Sequence, residues 1–145
     1  MKHQDPEGAR NEAVVGNDEE ATLEDCLERF FHHLERSLEL PCLVTGSEDF
    51  RWEEFYVIGP GDFEEHRELR KTQPSFEDTF ELLEIKDDVA SEWMMFGEDD
   101  IAGRVRRTSD GKEFYLGLAE IEAVDKKSQN HQRINDYAVW FVNNR

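Results

Sequence analysis

Thr22-Leu23-Glu24-Asp25-Cys26-Leu27-Glu28-Arg29-Phe30-Phe31-His32-His33-Leu34-Glu35-Arg36-Ser37-Leu38-Glu39 sets the fold class. Leu23, Cys26, Leu27, Phe30, Phe31, Leu34 and Leu38 recur at spacings of three and four, which puts them on one face of a helix. Thr22 with Asp25 three residues on makes an approximate capping box, and Pro41 ends the run near Glu39. A helix over 22–39 therefore needs a surface on which to lay its apolar stripe.

Downstream, that surface reads as sheet. Cys42 to Thr45 is a short strand stopped at Gly46, and Phe50 to Ile58 reads as a second, rich in aromatic and β-branched residues and stopped by Gly59-Pro60-Gly61. Asp62 caps a charged helix from Phe63 to about Lys71, so residues 62–72 read as a helical insertion. Thr79 to Ile85 is the next strand, and Trp93 to Phe96 is expected to be extended. Ile101 to Arg107 and Glu113 to Leu118 flank Asp110-Gly111, a strong hairpin signal because Gly accepts positive φ. Ile121 to Val124 supplies one more strand. Ser128 to Arg133 reads as a loop, and Ile134 to Asn144 as a short terminal helix. The expected fold is α+β: an N-terminal amphipathic helix on a small, bent antiparallel sheet, with a partly open SH3-like barrel as one form the sheet can take.

Residues 1–20 hold almost no apolar side chains and read as a disordered acidic tail, with 21–145 as a single domain. Deleting residues 1–18 is expected to change stability by no more than about 0.5 kcal/mol. With no apolar run at the start, neither a signal peptide nor a membrane span is expected, and the expected compartment is the cytoplasm.

Charge bounds the partners. The 145 residues carry 35 acids against 17 bases, a net charge of −18. Such a chain repels nucleic acids and anionic membranes, and attracts metal cations or a basic protein surface. Arg104, Arg106 and Arg107 form the one basic run, read as a strand face balanced by nearby acids. Sixteen aromatic residues argue for a packed core.

For catalysis the signals are poor. No nucleophile elbow, phosphate loop or zinc-protease helix motif is present, and His32, His33, His66 and His131 have no Cys or Ser at a pairing distance in sequence. They read as surface histidines, and no enzyme activity is expected. Cys26 and Cys42 read as small buried apolar side chains, for which a single bridge is optional.

Calcium is the cation these residue types suit, since it takes six to eight oxygens from carboxylates, carbonyls and water. Acidic pairs fall in expected loops: Glu48-Asp49, Asp87-Asp88, Glu98-Asp99-Asp100 and the turn at Asp110. Glu98, Asp99 and Asp100 form the leading candidate, between Gly97 and Gly103 and beside an apolar stretch; Glu48 and Asp49 are the second. An EF-hand loop is absent.

Three strings extend the picture: Leu38-Glu39-Leu40-Pro41 at the helix exit, Arg104 to Arg107 with Lys112 to Ser128, and Asp136 to Asn143. They resemble the small acidic non-EF-hand calcium-binding proteins typified by cyanobacterial CcbP. The resemblance covers a little under half of the chain. It implies a short N-terminal helix, a small barrel-like sheet and calcium held by surface carboxylates, as a buffer or a sensor. Segment 46–92 is longer than that resemblance implies. From another class, the alternative is an acidic interaction module, of the inhibitor or immunity type, that binds a basic partner.

Overall fold

The hydroxyl of Thr22 accepts from the Asp25 backbone N–H at 3.1 Å, and the Asp25 carboxylate accepts from the Thr22 N–H at the same distance. This reciprocal cap starts α2 (Leu23–Ser37), as the sequence implies. The structure is a computed structural model and describes residues 6–16 and 21–144. Before α2 stands α1 (Pro6–Val15); after it come β1 (Cys42–Gly46), a 3-10 turn (Arg51–Glu53), α3 (Glu54–Val57) and α4 (Phe63–Leu69). Then follow β2 (Thr79–Lys86), a 3-10 turn (Gly97–Asp99), β3 (Ala102–Arg107), β4 (Glu113–Gly117), a 3-10 turn (Leu118–Glu120), β5 (Ile121–Ala123) and α5 (Gln129–Asn144).

The five strands form one antiparallel sheet in the order β4-β3-β2-β1-β5. Its edges are β4 and β5, yet only Leu118–Glu120 joins them in the chain. Four strand spacings would separate flat edges by about 19 Å. A link from Gly117 to Ile121 reaches at most about 14 Å. The sheet must therefore curl, and a register shift between Leu82 and Glu84 on β2 supplies a local bend. The result is an open, bent sheet rather than a closed barrel.

One concave face takes the core. Val44, Phe80, Leu82, Val105, Leu116 and Ile121 meet Phe30, Phe31 and Leu34 of α2 and Ile134, Tyr137, Trp140 and Phe141 of α5. Rings of the two helices interlock, with Phe30 5.4 Å from Tyr137 and 4.9 Å from Trp140 between centroids. Each buried aromatic contributes about 2–3 kcal/mol of transfer free energy. On the outer face Arg104 pairs with Glu84 at 2.9 Å and Glu113 at 2.6 Å, and Arg106 with Glu81 at 2.5 Å, as alternation implies. Arg107 points the other way, 3% exposed, into Asp78, Asp110 and the carbonyls of Arg70, Lys71 and Gln73.

Four expectations need correction. Phe50 to Ile58 is not a strand but a 3-10 turn running into α3. Helical winding turns Trp52, Glu53 and Tyr56 to one side, where Trp52 Nε1 donates to Pro74 O at 2.6 Å and the Glu53 carboxylate accepts from Phe76 N at 2.7 Å. Trp93 to Phe96 is a run of turns. Ser91 holds it, accepting from Trp93 N at 3.2 Å and donating to Tyr115 O at 2.6 Å. Residues 129–133 belong to α5, because Ser128 Oγ accepts from His131 N at 3.1 Å and caps the helix there.

The fourth concerns the tail. Residues 6–15 are helical, and α1 docks on α5: the Arg10 guanidinium grips Asp136 at 2.6 and 2.9 Å, and Asn11 Nδ2 donates to Asp136 O at 3.0 Å. Val14 and Val15 pack against the core. The remainder of the expected tail, residues 1–5 and 17–20, lies outside the described residues. Cys26 and Cys42 are free thiols. Among the described residues no helix is long and apolar enough to cross a membrane.

Candidate metal-binding groove

Three segments that are remote in sequence converge beside the N-terminal half of α2. The helix contributes Glu24 and Glu28, one turn apart on one face. The loop leaving β2 contributes Asp87 and Asp88, and the 3-10 turn contributes Glu98 and Asp99, with Asp100 behind them. They line a groove of about 760 Å³ whose apolar floor is Leu23, Leu27, Val89 and Ile101. Gly97 permits the approach, since its φ of 55° lies in the left-handed region and delivers Glu98 and Asp99 to the rim.

Seven carboxylates thus share one groove, and no Lys or Arg lines it. Among the described residues none of the seven has a Lys or Arg partner within ion-pair distance; Glu28 alone approaches a base, His32 at 3.7 Å. Acids on the outer sheet face are paired with Arg104 and Arg106, whereas those of the groove are not.

Asp100 differs from its neighbours. It is 3% exposed, accepting from the Tyr137 hydroxyl at 2.6 Å and from Ala119 N at 3.2 and 3.3 Å. Burial pushes its carboxyl up to about 7, against the pull of those donors, and the charge of Glu120 adds to the rise. Glu120, itself raised by burial, accepts from Met95 N at 3.1 Å. Both carboxylates press on the Gly117 backbone: a Cβ there would lie 2.3 Å from Asp100 Oδ2 and 2.5 Å from Glu120 Oε2. Asp100 anchors the acidic turn, while Glu24, Glu28, Asp87, Asp88, Glu98 and Asp99 are exposed and free to turn.

Of the candidates from sequence, Glu98, Asp99 and Asp100 lie in the groove with Asp87 and Asp88. Glu48 and Asp49 sit in the turn after β1 and do not line it. Glu24 and Glu28, which are not among those candidates, also line the groove, and their i, i+4 spacing at the polar edge of the α2 stripe is the local signal for them. Among the described residues no three His, Cys, Asp or Glu side chains are already gathered at metal-holding distance. An ion in the groove would draw its ligands from side-chain rotation and water. Hard oxygen donors on flexible stems suit Ca²⁺ better than Mg²⁺, which demands a near-ideal octahedron, or Zn²⁺, which favours nitrogen and sulfur.

A second polar cluster has a different character. Glu53, fully buried, faces His66 Nε2 at 2.9 Å and accepts from Ser75 Oγ at 2.8 Å. His66 is therefore no surface histidine; it stacks on Tyr56 at 5.3 Å. Ser75 and His66 each bond the carboxylate, and Ser75 has no exposed surface. The cluster ties the 50–78 segment to itself, joining the 3-10 turn, α4 and the approach to β2.

No protein-family model matches the sequence, and no curated protein matches it significantly. Among solved structures the chain is similar to Anabaena CcbP, with a TM-score of 0.60 and 20% identity over 97% of this chain and 92% of that one. It is also similar to a calcium-binding protein solved in its calcium-binding form, with a TM-score of 0.59 and 20% identity over 94% and 90%. At this identity the likeness is one of fold, and it extends through the 46–92 segment.

Proposed function

We propose that this protein binds Ca²⁺ reversibly in the acidic groove, with Glu98, Asp99, Asp87 and Asp88 as the principal ligands and Glu24 and Glu28 closing it from α2. Seven groove carboxylates, without a Lys or Arg partner among the described residues, carry this assignment. Clustered like charges repel in the empty groove, and a hard divalent cation relieves that repulsion. A calcium-binding protein of similar fold supports it. Because the ligands move by side-chain rotation on a fixed scaffold, the protein acts as a buffer of the ion rather than a switch, and performs no catalysis. Asp100 holds the turn in place.

Calorimetry with Ca²⁺ and Mg²⁺ at ~0.15 M salt, where diffuse attraction is screened, tests this. Ca²⁺ is expected to bind more tightly than Mg²⁺. Asp88→Asn with Asp99→Asn weakens it, while Glu48→Gln with Asp49→Asn does not. No Ca²⁺ heat at millimolar ion refutes the assignment.

One observation favours the interaction-module alternative. Phe55, Val57, Ile58 and Phe63 are exposed at the α3–α4 tip, with Glu54, Asp62, Glu64 and Glu65 beside them. An apolar tip among acids suits a basic amphipathic segment of a partner. Fluorescence anisotropy with a labelled basic amphipathic peptide, repeated on Phe63→Ser, checks it.

A further inference from the structure

Although the chain carries a net charge of −18, a cleft of opposite sign is present. It lies between α1, α2 and α5, measures about 430 Å³, and is lined by Arg10, Arg29, His33, Arg36, Arg133 and Asp136 among others. Asp136 is the single acid in that lining and is spent on Arg10, which it meets in a fork of 2.6 and 2.9 Å. Arg29 gives one N–H to Val15 O at 2.5 Å, and Arg133 gives one to Ser37 O at 2.6 Å. Each guanidinium carries five N–H donors, so most of theirs remain available. Arg36 is exposed and has no ion pair or hydrogen bond among the described residues. With His33 neutral the lining sums to three positive charges.

We propose that this cleft binds a small oxyanion carrying two or more negative charges, of the phosphate or polycarboxylate kind. Planar guanidinium forks match the paired oxygens of such groups, and Arg29, Arg36 and Arg133 converge from two helices on one space. The volume suits a small molecule rather than a polymer. The acidic remainder of the chain does not forbid this. At ~0.15 M salt charges beyond about 8 Å are largely screened, so the local triad of arginines governs the cleft. His33 reports on the same field: burial, then the charges of Arg133 and Arg36, hold its imidazole below the usual value, and Asp136 alone opposes them.

The test uses the full chain freed of divalent ions, because the probes themselves chelate calcium. Inorganic pyrophosphate and citrate are titrated separately by calorimetry, with the His33 ring followed by NMR. Heat from pyrophosphate alone assigns a phosphate ligand, heat from citrate alone a polycarboxylate, and heat from both the shared oxyanion chemistry; each supports the proposal. Arg36→Gln, which removes an exposed side chain with no structural bond, is expected to weaken binding at least about tenfold. Arg106→Gln on the outer sheet face leaves it unchanged. A bound anion favours the imidazolium, so the His33 pKa rises on saturation. The proposal is overturned by no heat from either probe at millimolar concentration, by equal affinity in Arg36→Gln, or by heat that leaves His33 unmoved. None of these outcomes bears on Ca²⁺ in the groove.

Discussion

The Tyr137 hydroxyl donates to Asp100 Oδ1 at 2.6 Å and accepts from Ile101 N at 3.1 Å, tying the C-terminal helix to the root of the acidic turn. One phenol thus serves a buried carboxylate and a buried amide together. Tyr137→Phe keeps the ring against Phe30 but strands the Ile101 N–H and leaves Asp100 with Ala119 N alone, and a hydrogen bond to a charged group is worth about 2 kcal/mol. A loss of that order in urea unfolding, with a native circular dichroism spectrum, is expected. A neutral change would show that Asp100 finds another donor.

Asp100 also gives the protein an unusual acid response. Its folded pKa near 7 lies above the unfolded value of about 3.9. Between those values the native state holds the extra proton, so stability falls as pH rises. The contribution is complete below about pH 4 and is lost on passing through about pH 7. In chelator, Asp100→Asn, which keeps an acceptor for Tyr137 and Ala119, is expected to flatten the stability profile between pH 4 and 7. Raised Glu120 leaves a residual slope of the same sign. A profile identical to the parent's would refute the buried titration.

Arg107 is the hub of the segment that links α4 to β2. Its guanidinium meets Asp78 at 3.0 Å, Asp110 at 2.7 Å and three backbone carbonyls of the 70–73 segment. The contact with Arg107 lowers Asp110 to about 2. Lysine cannot reproduce that fork, and Arg107→Lys is expected to cost about 3 kcal/mol and to speed proteolysis within residues 63–78. Unchanged denaturant midpoint and cleavage rate would show the hub to be dispensable.

Removal of residues 1–18 is expected to cost about 2 kcal/mol, not the near-zero change that the composition suggests. The truncation leaves Asp136, mostly buried, without Arg10, and uncovers the surface under Val14 and Val15. Thermal unfolding of the truncated chain decides between these values.

Much of this molecule was legible in order along the chain. The α2 stripe, its Thr22 cap, the Asp110-Gly111 hairpin and strands β1, β2 and β5 rest on periodicity and turn chemistry, which act over a few residues and so are written locally. Residues 50–58 misled because aromatic and β-branched types mark burial as much as strand; Glu53 needed Phe76, Ser75 and His66, some 13 to 23 positions away, before helical winding was favoured. Helix α1 was invisible for the same reason, its anchor Asp136 lying 126 residues from Arg10. The sequence by itself determined the charge, the apolar stripe and therefore an α+β body seeking cations. Only the tertiary structure decided which acids stand together. It neutralised those facing Arg104 and Arg106, buried Asp100 under Tyr137, left Glu48 and Asp49 apart, and brought Glu24 and Glu28 across to Asp87, Asp88, Glu98 and Asp99. Charge is additive along a chain, whereas a binding site depends on distance, and distance is set by the packing of the core.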